Sequence, residues 1–259
     1  MFNKEIMRED FIAQANKRLL FKTPPEELTR NVNVAILSAS RSVCGDVANA
    51  ALADYHSLSG RFKKFAICGG KRVCQPLVWP IAQGKAWKNG PAFVNPRHFC
   101  TTKKEAHYMR HILLKGGVRP EDIICVDDTS QHTDQHFQNT RAKIKEEGFE
   151  TARIYTAAYD QRRVIETCAV EIPELHTVPM PVYPFATTRE EWMMQWPTTL
   201  GIKNVVLGEY HKIDPNNPDN YYERGICTPV PHWIKLPAPI KINPRINHDI
   251  GNVRQQFED

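Results

Sequence analysis

Short apolar runs of strand length recur along this chain, separated by stretches whose apolar residues return every three or four positions. VNVAILS (32–38) is apolar enough to be buried on both faces of a sheet. KKFAICGGKR (63–72) follows, then IICV inside PEDIICVDD (120–128), then ARIYTAA (152–158), and last a shorter ELHTVPM (174–180). Between them the period is helical. Asp46 is placed to cap a helix running to about Ser57, with Ala48, Ala51, Leu52 and Tyr55 inward. KKEAHYMRHILLK (103–115) ends at Gly116–Gly117, and a helix over 133–147 puts Phe137, Ala142 and Ile144 on one face before Gly148. QRRVIETCAVEI (161–172) is a further helix. Strand, helix, strand, helix at this spacing predicts an α/β domain with a mainly parallel sheet.

The flanks and one interior stretch depart from that rhythm. Residues 4–20 put Ile6, Phe11, Ile12, Ala15 and Leu19 on one helix face, within an N-terminal helical segment (1–30) ahead of the core at 31–180. Residues 73–101 lose all periodicity and carry Pro76, Pro80, Pro91 and Pro96 among Trp79, Trp87, Phe93 and Phe99. That length implies a functional insertion or a small subdomain. The aromatic residues there favour local packing over stacking on a base. Residues 181–259 read as a C-terminal extension, with helices over 188–196 and 199–212 and a Pro- and Asn-rich extended run from Asp214.

In a parallel sheet, ligands sit outside the carboxyl ends of the strands. The first exit carries Ser38, Ser40 and Arg41; the second carries Gly69, Gly70, Lys71 and Arg72; the third carries Asp127, Asp128 and Ser130; the fourth carries Tyr159, Asp160, Arg162 and Arg163. Cationic loops joined by helix N-termini favour a small anionic ligand, a phosphate or a carboxylate. The acid pair is then placed to bind hydroxyls or an amine, to hold a divalent cation against a phosphate, or to act as a base if mutual repulsion raises one member. Gly69–Gly70 suits close approach of backbone to a ligand, or a tight turn. Capping and surface roles are the alternative for all of these residues.

Composition removes other classes. The 259 residues are 41% apolar, enough for one α/β core. The net charge of +5 arises from 34 basic and 29 acidic residues without a block of like charge, so no nucleic-acid partner is expected. Seven scattered cysteines without a C-x-x-C pair suit a reduced, cytoplasmic setting. The N-terminus lacks an apolar signal region and no run approaches bilayer length, so no membrane association is expected. GGKR is not a phosphate-binding P-loop, and neither G-x-G-x-x-G nor G-x-S-x-G occurs. His132 and His136 stand four apart, but without HExxH they read as polar surface or capping residues rather than metal ligands. Cys44 is the one cysteine in a loop at this edge, and a nucleophilic role for it has no support.

Taken in order, CGG (68–70), Glu105–Ala106, GVRPEDIICVDDTSQHT (117–133) and TAAYDQRR (156–163) resemble the YdcF-like family (the ElyC/SanA/YdcF group) over roughly 32–170. A weaker echo runs through LGEYHKI and YYERGI (207–226). The resemblance implies a Rossmann-like three-layer sandwich, with Glu105, Ser130, Thr133 and Arg163 at motif positions. It also implies binding of S-adenosylmethionine or a similar nucleoside ligand, as in the soluble branch. His132 and His136 fall where the family has Asn, and Asp160 falls where many members have His. The expected function is therefore binding of a nucleotide-like anion at the strand exits, by a transferase or hydrolase with Asp127 or Asp128 as base, Ser38, Ser40, Arg41, Lys71, Arg72, Arg163 and Tyr159 around the ligand, and Ser130, His132 and Thr133 at a helix start. The alternatives are a non-catalytic module that sequesters the ligand, and an interaction protein working through 73–101.

Overall fold

The computed structural model describes residues 9–20, 22–40, 43–57, 62–70, 104–183, 188–197, 206, 209–210 and 212–213. Five strands form one parallel sheet: β1 (Val34–Ser38), β2 (Lys64–Cys68), β3 (Ile123–Asp127), β4 (Thr151–Ala157) and β5 (His176–Val182), in the order β3-β2-β1-β4-β5. The helices are α1 (Glu9–Leu19), α2 (Pro25–Thr29), α3 (Cys44–Ser57), α4 (Glu105–Lys115), α5 (Thr133–Glu146), α6 (Gln161–Glu171) and α7 (Arg189–Gln195). The molecule is a Rossmann-like three-layer sandwich. Among the described residues, no helix is long and apolar enough to cross a membrane.

Strand alternation builds two cores. Ala35 and Leu37 of β1, Phe65 and Ile67 of β2, and Tyr155 and Ala157 of β4 face one side, where Val47, Ala48 and Ala51 of α3 and Met109 and Leu113 of α4 cover them. Val34 and Ile36, Ala66 and Cys68, and Ala152 and Ile154 face the other, under Phe137 and Ile144 of α5 and Val164 and Cys168 of α6. The chain winds outward from β1 to β3, then returns through α5 to place β4 on the other side of β1. Reversing direction while keeping right-handed crossovers puts α5 and α6 on the opposite face from α3 and α4. The prolines at 179 and 181 confine β5 to an edge.

α1 and α7 join the first core through Ala15, Leu19, Trp192 and Trp196, and the Trp196 indole N–H donates to Asn16 Oδ1 at 2.9 Å. Val206, Tyr210 and Ile213 are buried in the same cluster, so part of the C-terminal extension is built into the domain. Three expectations change in detail. Ala142 is exposed, and Phe137, Thr140 and Ile144 form the buried stripe of α5. α3 begins at Cys44, so Asp46 lies in its first turn and does not cap it. The Arg162 guanidinium turns away from the rim: it donates to Glu166 at 2.7 Å and to the Arg18 carbonyl at 3.1 Å, tying α6 to α1. Ile6, the Phe11 side chain, Arg41, Lys71, Arg72, the 73–101 segment and the chain from Asp214 lie outside the described residues.

Candidate functional site

In this strand order the topological switch point lies between β1 and β4, whose following helices α3 and α6 sit on opposite faces of the sheet. Two exits leave it, 39–40 after β1 and the turn 158–160 after β4. They are bridged across the crevice by the Ser40 hydroxyl donating to the Tyr159 phenol oxygen at 2.8 Å. Both side chains are buried, and burial raises the Tyr159 phenol well above its ordinary range. Ser38 ends β1 in register with Cys68, and the Ala39 amide donates to the Cys68 carbonyl at 2.7 Å.

From this corner a chain of contacts follows the rim. Arg163, one turn into α6, donates from Nη2 to Asp160 Oδ1 at 2.7 Å and from Nε to Glu209 Oε2 at 2.8 Å. Its third nitrogen reaches the Thr133 hydroxyl at the start of α5. Asp160 and Glu209 are both buried. Burial, with the Glu209 charge beside it, pushes the Asp160 carboxyl up to about 6. Burial also opposes ionisation of Glu209, but Arg163 and Lys212 outweigh it and bring Glu209 down to about 2.

The β2–β3 corner is built around Asp127. One carboxylate oxygen accepts from the Thr129 amide (3.2 Å) and hydroxyl (3.1 Å), the Ser130 amide (3.3 Å) and Asn139 Nδ2 (3.0 Å). The other accepts from the Ser130 hydroxyl and lies 3.3 Å from His136 Nδ1, without the alignment of a hydrogen bond. Burial would raise this carboxyl; the imidazole and the donors from Ser130, Asn139 and Thr129 outweigh it and hold it far below the usual range. Asp127 therefore fastens the turn that launches α5.

Gly69 and Gly70 both donate their amides to the Asp127 carbonyl, at 3.1 and 3.0 Å. A Cβ on Gly69 would lie 2.1 Å from the Ala106 nitrogen, and one on Gly70, whose φ is +65°, would lie 2.4 Å from the Ser130 carbonyl oxygen. The close approach anticipated for a ligand is made by the protein's own backbone. It seats the first turn of α4, with its buried Glu105, against the end of β2.

The acid pair does not act as a pair. Consecutive residues leaving a strand point to opposite faces. Asp127 faces α5, while Asp128 faces α4, where Oδ2 accepts from Lys104 Nζ at 2.8 Å and meets His107 Nε2 at 3.0 Å. These two partners lower the Asp128 carboxyl, so mutual repulsion raises neither acid. Lys104 and His107 are rim residues that the sequence reading missed. Two lysines before a helix start oppose the helix dipole, and that misfit is a signal for a nearby anion. A shallow depression of about 290 Å³, lined by Cys125 to Thr129 with Asn139 and Thr140, opens beside the turn.

A divalent cation does not fit this donor set, because both acids already face N–H and O–H donors on opposite sides of the sheet. His132 is exposed at the start of α5, while His136 is buried against Asp127, so the two do not converge on a metal position. Among the described residues no three His, Cys, Asp or Glu side chains gather in ligating geometry. Cys44 is buried, with its Sγ 3.6 Å from the Ser40 carbonyl. Burial raises the thiols of Cys68, Cys125 and Cys168, Cys125 to about 11. These are packing groups rather than nucleophiles.

Gly70, Asp128, Ser130, Thr133, Tyr159 and Arg163 thus lie along one rim, and Ser38, Ser40 and Glu105 line the same edge. Comparison of the sequence with protein-family models and with curated proteins returned no match.

Proposed function

We propose that this protein binds a nucleotide- or nucleoside-type anion, phosphorylated or S-adenosylmethionine-like, in the crevice between the exits of β1 and β4. The observation that carries this reading is the strand order, which makes that crevice the switch point and lines it with Ser40, Tyr159 and Asp160, next to Arg163. The starts of α3 and α6 direct backbone N–H groups toward the same edge. Arg163 fixes Asp160 and Thr133 beside the crevice, backbone N–H groups at the helix starts supply the donors for an anion, and the bridged hydroxyls of Ser40 and Tyr159 stand between the two exits for a sugar or amino-acid moiety. The resemblance to the YdcF-like family, through Glu105, Ser130, Thr133 and Arg163, points to the same ligand class. A transferase or hydrolase acting on such a molecule is the enzymatic form of this reading.

A non-catalytic binding module is the second form, and one observation favours it. Asp127 and Asp128, the acids placed to act as base, are lowered by donors that occupy their oxygens, which makes them poor proton acceptors. Titration calorimetry of the full chain with S-adenosylmethionine, ATP and a nucleotide sugar tests both forms. Binding of one of them, weakened about tenfold in Arg163→Lys, is the expected result, since lysine keeps the charge and loses the fork. No heat with any of the three, in a folded protein, overturns the proposal. Mass spectrometry of the bound molecule after long incubation separates the two forms: conversion marks an enzyme, and intact recovery marks a binding module.

A further inference from the structure

The C-terminal segment reaches the rim through Glu209 and Lys212, and Tyr210 lies beneath the Arg18 guanidinium at 5.1 Å from its ring centre. Its point of attachment is unusual in charge. Asp160 and Glu209, 4% and 6% exposed, are two acids clamped to one buried cation, Arg163, whose side chain is 11% exposed. Lys212 is the second cation, but its side chain is 31% exposed and its charge is shared with solvent. Among the described residues, the groups facing the two acids are Arg163 from α6, the Tyr159 phenol from the β4 exit and Lys212 from the segment itself; Thr133 of α5 lies beyond Arg163, and Ser40 and Cys44 lie against Tyr159. Arg18 of α1 faces the neighbouring Tyr210.

The two buried carboxylates share the Arg163 guanidinium, and the second cation, Lys212, is paired with Glu209 at the solvent edge, so Asp160 is the carboxylate left short of positive charge. Two carboxyl groups that share a site cannot both ionise without cost, and a proton held between them removes the shortfall and adds a short hydrogen bond.

We propose that Asp160 and Glu209 hold one proton between them and that this proton fastens Glu209, with Tyr210, Lys212 and Ile213, to the corner between β4 and α6, making a clasp that loosens when the second carboxyl ionises. The raised Asp160 carboxyl places the change near neutrality, with the clasp tight at pH 5 and loose at pH 8. Because Asp160 belongs to the switch-point turn, the clasp couples proton concentration to the shape of the crevice. It is a property of the chain without ligand, and its test uses none.

Hydrogen–deuterium exchange of the full chain, read by mass spectrometry at pH 5 and pH 8 and corrected for intrinsic exchange at each pH, is the experiment. Peptides covering Glu209, Tyr210, Lys212 and Ile213 are expected to be on the order of tenfold better protected at pH 5, with β1 peptides as the unchanged internal reference. Asp160→Asn, which keeps the neutral partner at every pH, is expected to show the pH 5 protection at both. Glu209→Gln removes the shared proton from the other side, so its protection no longer depends on pH. Equal protection of the wild-type segment at the two pH values overturns the proposal, and so does a pH difference that survives in either variant.

Discussion

Two corners of the same rim each bury an aspartate, and they treat it in opposite ways. At the β2–β3 corner, Asp127 meets the amides of Thr129 and Ser130, their hydroxyls, the Asn139 amide and the His136 ring. At the β1–β4 corner, Asp160 meets Arg163 but also a second carboxylate, Glu209. Desolvation disfavours the charge at both. Donor supply decides the outcome: it exceeds what the first carboxylate needs, and it is divided between two carboxylates at the second. The first corner is a fixed turn, and the second is the part of the rim where protonation changes the charge.

The largest effect is expected from removing the first. Asp127→Ala leaves the Ser130 hydroxyl, the Asn139 amide and two backbone N–H groups without their acceptor, and removes the carboxylate beside His136 Nδ1. A loss of about 3–5 kcal/mol is expected, measured as a lower urea midpoint at unchanged slope. The folded carboxyl lies below its unfolded value, so its contribution is present above about pH 4 and fades as pH falls through and below that value. A variant within about 1 kcal/mol of wild type at pH 7 would mean that the donors find water instead, and that the turn does not depend on this residue.

Gly69→Ala comes next. Its Cβ meets backbone, the Ala106 nitrogen and Cα, which cannot rotate away as a side chain would. Overpacking of this kind costs about 1–3 kcal/mol, and the strain falls on the α4 start. Loss of stability together with faster exchange in the first turn of α4 is the expected pair of observations. Lost stability with α4 unchanged would place the strain elsewhere.

Asp160→Asn should have the opposite pH signature to Asp127→Ala. The folded Asp160 carboxyl is raised to about 6, so its favourable contribution is complete below the unfolded value near 4 and is lost as pH rises to about 6. Asparagine imitates the neutral form throughout. The variant should match wild type at pH 4 and exceed it by roughly 2 kcal/mol at pH 8, measured by denaturation at both. A variant less stable than wild type at pH 8 would show that the ionised acid is favoured there and that the two corners are alike.

Much of this arrangement is visible in the chain before folding, and the failures have particular causes. The strands are legible because runs such as VNVAILS and ARIYTAA are apolar on both faces. The shared rim follows from their parallel order. Ala142 misleads because alanine is apolar enough to enter a stripe and small enough to be harmless outside it, whereas Thr140, polar in the sequence, satisfies its hydroxyl on the His136 carbonyl at 2.9 Å and so can be buried. Asp127 and Asp128 look like a pair because sequence adjacency suggests proximity, although the period of a strand separates them. Gly69–Gly70 correctly signals a close approach, but sequence alone does not say whether a ligand or Ala106 makes it. Glu209 is the hardest to anticipate. Only the weak family echo in LGEYHKI sets it apart from a surface glutamate, and its meaning comes from Arg163, 46 positions away.

The smallest effect belongs to Asp128, the acid that sequence adjacency made most prominent. Its side chain is 29% exposed and its partners more so: Lys104 at 42% and His107 at 49%. Solvent therefore screens the Lys104 ion pair and competes for the His107 contact, and each side chain gives up rotamer freedom to make its contact. Exposed pairs of this type contribute about 0.2–1 kcal/mol, so Asp128→Asn, which keeps one acceptor oxygen, should lower stability by roughly 0.5 kcal/mol or less. Raising the salt concentration should shrink even that difference, while leaving the cost of Asp127→Ala nearly intact, because a buried carboxylate is poorly screened. Urea titrations of both variants at low and high salt make the test. A large, salt-insensitive loss in Asp128→Asn would mean that Lys104 depends on this carboxylate to sit at the start of α4. The β2–β3 corner would then have two structural acids, one on each face of the sheet.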